Sequence, residues 1–236
     1  MTLPADNGTW ALAFITRTGD TALRGLRQPD VWARAPASFP LVAHWADGEP
    51  LEPDVLAMAG IEDRSRRYVL DGLPVATGVV PVADAWACSN PSAGRGASIG
   101  LLDAVALRDL VRDGLLDDPL AFARTWDEAT EAVVAPWYQE TRWGDRRRLG
   151  EIDAVLAGQP YEPHDHRYEL FKALSFGATV DPELLRPLVR NALLLSTLDE
   201  IVEQVGAGRL LAAGGGWREA PPAGPDREEL VKVVAA

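Results

Sequence analysis

From about residue 97 onward, the apolar positions of this chain repeat with helical spacing, and this constrains its fold more than any other feature. Helix ends in such a sequence are marked by Asp, Ser or Thr caps, by Pro in a first turn and by Gly after a last turn. These signals predict the following boundaries: a start near Ala97 and an end near Gly114, starts at Asp118-Pro119 and Asp181-Pro182, a break at Pro136, an end at Gly158, and a capping box of Thr197 and Glu200 in a helix that ends near Gly206.

Strand patterns occur only before residue 84. The turn signal "ADNG" lies between Thr2-Leu3 and an alternating run over residues 10–15, which predicts a β-hairpin whose first strand is cut short at Met1. The segments "RSRRYVL" and "VATGVVPV", joined by "DGLP", predict further strands, and the second is apolar on both faces, as a buried strand would be. Residues 19–60 are helical pieces broken by prolines, which we expect to form a lid or to cover a sheet face. The predicted class is α+β, with a partial antiparallel sheet before a helical region.

The composition excludes several classes of function. The 236 residues include 23 basic and 35 acidic side chains, and the net charge of −12 would repel a phosphate backbone, so nucleic acid is not an expected partner. Cys88 is the one cysteine, which excludes an internal disulfide and a multi-cysteine zinc site. No apolar run approaches the ~20 residues that span a bilayer. We therefore expect a soluble, cytoplasmic protein without a membrane span.

One short pattern suggests a hydrolase. The segment from Gly96 to Gly100 matches the G-x-S-x-G nucleophile elbow around Ser98. An elbow requires a strand directly before the turn, whereas the predicted strand ends about a dozen residues earlier, near Ala83. An α/β-hydrolase is therefore kept as an alternative that we do not favour.

Three further patterns have simpler structural explanations. The segment "EPHDHRYE" holds side chains of metal-binding types, but a polar loop that caps the helix "RYELFKALSF" explains it as well, and we favour the loop. "GAGRLLAAGGG" begins like a dinucleotide fingerprint but follows a helix, so a helix end and a flexible linker explain it better. Cys88 has no histidine near it in sequence and is expected to be a small buried residue rather than a nucleophile. In "EPHDHRYE", the residues of types that can bind a metal are Glu162, His164, Asp165, His166 and Glu169.

The stretch "ADAWACSNPSAGRGASIGLLDAVAL", residues 83–107, contains the most specific motif. It has a carboxylate at a predicted strand end, a loop with Pro, a Gly-x-Gly turn and a helix containing Asp-Ala. This order resembles the second flavin motif of FAD-dependent oxidoreductases of the aromatic-hydroxylase, geranylgeranyl-reductase and halogenase superfamily. Two residues depart from the commonest form: Ala83 stands where glycine is usual, and Arg95 where glutamine is frequent. The matching positions are Asp84, Pro91, Gly94, Arg95, Gly96, Gly100, Asp103 and Ala104.

The resemblance implies that this stretch holds the ribityl and isoalloxazine parts of FAD. In this superfamily the Asp equivalent to Asp84 contacts the ribityl chain, and a carboxylate can accept hydrogen bonds from its hydroxyls. Gly94 and Gly96 would let backbone N–H groups approach the flat ring. The helix behind them would direct its positive end at the negative charge of reduced flavin. The implied cofactor-binding set is Asp84, Pro91, Gly94, Arg95, Gly96 and Ala97.

The resemblance also implies a monooxygenase-type reaction on an apolar or aromatic small molecule, although no residue stands out as a general base. The superfamily's βαβ unit with its G-x-G-x-x-G turn does not occur before Asp84, which implies the C-terminal half of a longer flavoprotein, completed by a companion chain or an upstream half. The alternative is a non-catalytic remnant or partner-docking module that keeps the fold without flavin. The expected segments are a partial sheet and lid over 1–75, the second flavin motif over 76–115, a helical region over 116–213 and a loose tail over 214–236.

Overall fold

A computed structural model describes residues 1–114 and 117–236 of the chain. The boundary expected between segments 76–115 and 116–213 lies outside these residues. The chain divides into two compact units, and the described residues are mostly helical, at 57%, with a few short antiparallel strand pairs, so the α+β class is confirmed. Unit 1 comprises Met1–Gly60, Ile152–Pro160 and Glu219–Ala236, and unit 2 comprises Ile61–Glu151 and Tyr161–Arg218.

The described strands form three separate antiparallel pairs. In unit 1, β1 (Thr2–Pro4) pairs with β2 (Trp10–Leu12) across the predicted turn, where Asn7 and Gly8 have left-handed φ angles. In unit 2, β4 (Val69–Leu70) pairs with β5 (Leu73–Pro74) through a tight turn at Asp71 and Gly72, whose φ values of 51° and 74° suit a primed hairpin turn. The third pair joins β3 (Arg64–Ser65) to β6 (Ala87–Cys88). Both predicted hairpin turns are therefore confirmed.

The predicted buried strand "VATGVVPV" is wrong. Pairing ends at Pro74, and Val75 and Val79 are mostly exposed. Gly78 has a φ of +77°, which turns the chain out of an extended path, and Pro81 has no N–H to donate to a partner strand. A short 3₁₀ turn follows at Ala83–Ala85, so Asp84 lies on this turn and not at a strand end.

Unit 1 is organised around a small core. Leu26, Ala35 and Val234 are buried, and Phe14 packs against them. Ala35 follows α1 (Pro29–Arg34), and Val234 lies in α9 (Arg227–Ala235). The C-terminal segment was expected to be loose; instead Asp226 and Glu229 form a capping box at the start of α9, and Arg227 makes two hydrogen bonds to Asp20, of 2.7 and 2.9 Å. The expectation failed because the apolar residues of α9 have a partner core in this unit.

Most helix boundaries in unit 2 follow the predicted caps. Asp118, Asp181 and Thr197 each accept hydrogen bonds from N–H groups in the first turn of the next helix, which confirms all three starts. The segment that follows Gly206 is a helix and not the predicted linker. The helices are α2 (Gly96–Arg112), α3 (Pro119–Val133), α4 (Ala135–Leu156, extending past unit 2), α5 (His166–Val180), α6 (Pro182–Ala192), α7 (Leu198–Val205) and α8 (Ala207–Gly214).

Two apolar clusters support the helices of unit 2. The first joins the strand region to the helices and contains Trp86, Ile99, Val134 and Tyr138. The second lies among α5 to α8 and contains Leu170, Leu174, Leu184, Leu198, Ile201 and Leu210. None of the helices that the structure describes combines the length and the apolar character needed to span a bilayer.

Candidate functional site

The start of α2 and the loop before it form an exposed backbone surface. Asn90 accepts a hydrogen bond from the N–H of Ser92 and caps a 3₁₀ turn at Pro91–Ala93, after which Gly94 has a φ of +66°. A side-chain methyl group added at Gly94 or at Gly96 would meet no atom within 4 Å. Because the backbone is open at both glycines, a flat group can approach it closely.

The N-terminus of α2 has no side-chain cap. Arg95 occupies the cap position without a capping hydrogen bond from its side chain, and Gly96, Ala97 and Ser98 are exposed. The N–H groups of a first helical turn have no partner within the helix and lie at the positive end of its dipole. The first turn of this 17-residue helix is therefore suited to a carbonyl or an anionic ring edge.

Asp84 is held next to α2 by contacts of its neighbour, Ala83. The N–H of Ala83 donates a 2.6 Å hydrogen bond to Asp103 Oδ2, and a methyl group at Gly100 would lie only 2.9 Å from the Ala83 side chain. Ala83 has a φ of +53°, a left-handed conformation that favours glycine. Asp84 itself is exposed, and within the described parts of the chain its carboxylate has no hydrogen-bond partner. A fixed turn thus presents an exposed carboxylate beside the first two turns of α2.

The Asp103 carboxyl group is fully buried, and its burial raises its pKa. One oxygen accepts from Ala83, while the other has no partner among the described residues. The hydrogen bond to the backbone opposes the rise in pKa but is the smaller effect. Asp103 therefore positions the turn that carries Asp84 and does not face the open surface itself.

The Arg95 guanidinium contacts residues of α4 and α6. It donates to the Asn191 backbone oxygen at 2.9 Å and to Asn191 Oδ1 at 3.1 Å, and it lies 3.9 Å from a Glu140 carboxylate oxygen. Asn191 donates in turn to Glu140 and to the Ser196 carbonyl oxygen. Burial lowers the pKa of Arg95, and the charge of Glu140 opposes this. Arg95 therefore anchors the loop, so only its backbone belongs to the open surface.

The hydrolase pattern lacks its supporting geometry. Ser98 lies in the exposed first turn of α2, and a 3₁₀ turn and Gly94, not a strand, come directly before this helix. The half-buried Cys88 lies in β6, where it is paired with Arg64. Neither residue is placed with a histidine partner by the hydrogen bonds of the described residues.

The segment "EPHDHRYE" contributes mainly to the start of α5. Asp165 accepts hydrogen bonds from the Arg167 N–H at 2.9 Å and from Trp143 Nε1 at 2.6 Å, and Glu169 pairs with Arg218 at 2.5 Å. Within residues 1–114 and 117–236, no three His, Cys, Asp or Glu side chains come together as metal ligands would. Asp165 and Glu169 therefore have structural partners.

Several large aromatic side chains of unit 2 are packed in its core. Trp86 and Tyr138 are buried and meet edge to face, with ring centroids 6.0 Å apart. Trp126 donates from Nε1 to the Pro81 carbonyl oxygen near a cavity of only about 10 Å³ beside Trp86. Unit 1 has a wider open groove of about 690 Å³, lined mainly by Pro40, Leu41 and the segment 221–225.

Comparisons with protein-family models, with curated proteins and with solved structures found no match for this chain.

Proposed function

We propose that this chain supplies the ribityl and isoalloxazine side of an FAD site in an oxidoreductase of the monooxygenase type. The observation that carries the proposal is the exposed, uncapped start of α2, where Gly94 and Gly96 leave the backbone open. Asp84 adds a free carboxylate on a turn that Asp103 and Gly100 hold against the same helix. Open amides and a carboxylate together fit a flat electron-accepting ring with a polyhydroxyl chain.

Each residue of the site has a distinct role in this proposal. Asp84 accepts hydrogen bonds from ribityl hydroxyls, and the first-turn N–H groups of Gly96 and Ala97 stabilise negative charge on the ring edge. Ala83 occupies the position where the resembled motif usually has glycine, and its left-handed φ is the conformation that glycine favours. Arg95 and Pro91 shape the loop.

Bound FAD would supply the redox chemistry of the reaction, and this chain would orient the ring. A pyrophosphate-binding G-x-G-x-x-G turn does not occur before Asp84, so the ADP part is assigned to a companion chain or to residues outside this sequence. The proposed substrate is an apolar or aromatic small molecule. We also propose a cytoplasmic location, supported by the presence of a single cysteine.

A second candidate is a partner-docking module that binds no flavin. It is favoured by the apolar side chains exposed on and after the β4–β5 hairpin, because contiguous exposed apolar surface in a folded unit marks an interaction site. These side chains are Leu70, Leu73, Val75 and Val79, with exposures of 57, 64, 67 and 57%.

Titration of the isotope-labelled full chain with FMN, followed by amide NMR shifts, distinguishes the two candidates. We expect FMN at about 5 mM to shift the amides of Asp84, Gly94, Gly96 and Ala97, because a ring site alone is worth on the order of 4 kcal/mol or a millimolar Kd. ADP at the same concentration should leave these amides unmoved. No shift with FMN would exclude the ring site and leave the docking module.

Two matched variants test the residue roles. Asp84→Ala removes the acceptor for ribityl hydroxyls, and a lost charged hydrogen bond of about 1.5–3 kcal/mol weakens FMN binding by about one to two orders of magnitude. Ser98→Ala, at an exposed side chain in the first turn of α2, should leave FMN binding unchanged. Equal binding by Asp84→Ala and wild type would refute the role of Asp84. Hydrolysis of p-nitrophenyl acetate that disappears in Ser98→Ala would support the hydrolase instead.

A further inference from the structure

One acidic segment of unit 1 exposes its apolar side chains. Residues 47–58, "DGEPLEPDVLAM", contain four carboxylates and no basic residue. Apart from Val55, every residue of this acidic segment is exposed, and Leu51, Leu56 and Met58 are 78, 81 and 78% exposed. Leucine and methionine are among the residues most often buried, so three of them exposed in one short segment mark an interaction surface.

The backbone and the carboxylates of the acidic segment have few partners. The Asp47 N–H bonds to the His44 carbonyl oxygen, and no other hydrogen bond involves residues 47–58 in the part of the chain that the structure describes. None of the ion pairs among the described residues includes a carboxylate of this segment. Pro50 and Pro53 each fix one φ angle, which limits the conformational freedom that the segment loses on binding. The acidic segment is therefore free to bind a partner at low entropic cost.

The outer side of α6, in unit 2, has an apolar stripe. Leu184 lies on the inner side of this helix and is buried, whereas Leu185, Val189 and Leu193 follow one another at intervals of four residues and are 49, 44 and 62% exposed. Leu195, shortly after the helix, is 57% exposed. Residues four apart lie on the same side of a helix, so these side chains form one continuous stripe.

Two arginines border this stripe. Arg186 and Arg190 are exposed, and neither belongs to an ion pair among the described residues. The hydrogen bonds of the Arg190 side chain, at 3.1 and 3.2 Å, go to uncharged oxygens. Asp181 and Glu183, at the start of α6, are paired with Arg209 instead. The stripe and its two arginines, which we call the α6 face, are therefore apolar and positively charged.

The acidic segment of a second copy has the chemistry that the α6 face requires. Two α6 faces do not suit each other, because a two-fold axis between antiparallel copies of α6 brings the arginines of both to the same side, where they repel. The acidic segment instead offers carboxylates beside exposed apolar side chains. With on the order of 100 Å² exposed on each of the apolar side chains of the two surfaces, two such contacts bury about 1,400 Å², within the ~1,200–2,000 Å² of a stable interface.

We propose that two copies of this chain form a closed dimer in which the acidic segment of each copy binds the α6 face of the other. Leu51, Leu56 and Met58 cover the apolar stripe, and the carboxylates pair with Arg186 and Arg190. Each copy has one acidic segment and one α6 face, so two copies satisfy both contacts and leave neither surface free for a third copy. This dimer does not depend on the proposed function.

Sedimentation equilibrium of the full chain between about 2 and 200 µM tests the dimer. At about 50 mM NaCl we expect a monomer–dimer equilibrium with a Kd on the order of 10 µM, since interfaces of this area begin at micromolar affinity. At about 500 mM NaCl the Kd should rise about tenfold, because salt screens the charges of the two surfaces. A molar mass that stays at the monomer, or that grows beyond the dimer, would overturn the proposal.

Charge reversal identifies the surfaces that meet. Arg186→Glu/Arg190→Glu makes both surfaces acidic, and Glu52→Arg/Asp54→Arg makes both basic, so each variant alone should dimerise at least about 100-fold more weakly than wild type. An equimolar mixture of the two variants should dimerise as wild type does, because each contact in the mixed dimer again joins opposite charges. Weak association in the mixture would refute the pairing of the acidic segment with the α6 face.

Arg108→Glu/Arg112→Glu is the matched control, since it makes the same two changes at exposed arginines four residues apart on α2. It should dimerise as wild type does, and an equal loss in this control would show an effect of net charge and contradict the proposal. A monomeric wild type that co-sediments with phosphatidylserine vesicles, and that loses this binding in Arg186→Glu/Arg190→Glu, would assign the α6 face to a membrane surface in place of a second copy.

Discussion

Gly214, the last residue of α8, is a position where a single methyl group should separate two helices. The α8 backbone there lies directly on α5, so that a methyl group at Gly214 would overlap the Ala173 backbone itself. Backbone cannot move aside as a flexible side chain can. The neighbouring Leu174 and Leu210 are almost fully buried, so a displacement of α8 also opens their packing.

We expect Gly214→Ala to lower the free energy of unfolding by about 1–3 kcal/mol. Overpacking of a well-packed interface lowers the free energy of unfolding by about 1–3 kcal/mol and sometimes more. The better helix propensity of Ala offsets at most about 1 kcal/mol of this loss. Gly208, in the same helix, is exposed, and a methyl group there would meet nothing within 4 Å. Gly208→Ala should therefore stabilise the chain by about 0.5–1 kcal/mol.

Urea unfolding followed by circular dichroism measures both variants. With a slope on the order of 2–3 kcal/mol per M, the midpoint for Gly214→Ala should fall by about 1 M and that for Gly208→Ala should rise slightly. A midpoint for Gly214→Ala within about 0.2 M of wild type would refute the close approach of α5 and α8. Equal losses in the two variants would instead show that neither glycine is distinguished by its surroundings.

Two further predictions concern Arg95 and Asp145, two charged residues of unit 2. Arg95→Ala should lower the free energy of unfolding in urea by about 3 kcal/mol, because it leaves Glu140 buried without its cation. The control Arg108→Ala removes one partner of an exposed ion pair and should lower it by less than about 1 kcal/mol. Similar losses in the two variants would contradict the anchoring role of Arg95. Since the pKa of Asp145 is raised to about 6, the stability from its protonated form is complete below about pH 4 and lost as the pH rises through 6. Because solvent screens the charges, this pH-dependent part of the free energy of unfolding amounts to about 1–2 kcal/mol. Asp145→Asn should abolish the pH dependence.

Helix starts were predictable because their causes are local. Asp118 and Thr197 bind N–H groups only two or three residues ahead, so the side chain and its partner stand together in the sequence. The strand over "VATGVVPV" was not predictable in this way, since apolar content shows only that a segment can be buried. Whether a partner strand exists depends on the rest of the chain, and here pairing stops at Pro74. The helix α9 was missed for the same reason, because its core partner Leu26 is far away in sequence.

The sequence by itself determined the turn at Gly94, the start of α2 and the residues of the candidate flavin motif, because a glycine turn and the helical spacing of apolar residues act over a few positions. Only the tertiary structure decided what the charged residues do. Arg95 meets Asn191 across 96 positions, and Arg148 donates to Ser92 across 56 positions. Such contacts have no sequence signature, since a charged side chain is paired or free according to which elements pack beside it. The same packing leaves Asp84 exposed and places Asp103, its neighbour in the motif, in the protein interior.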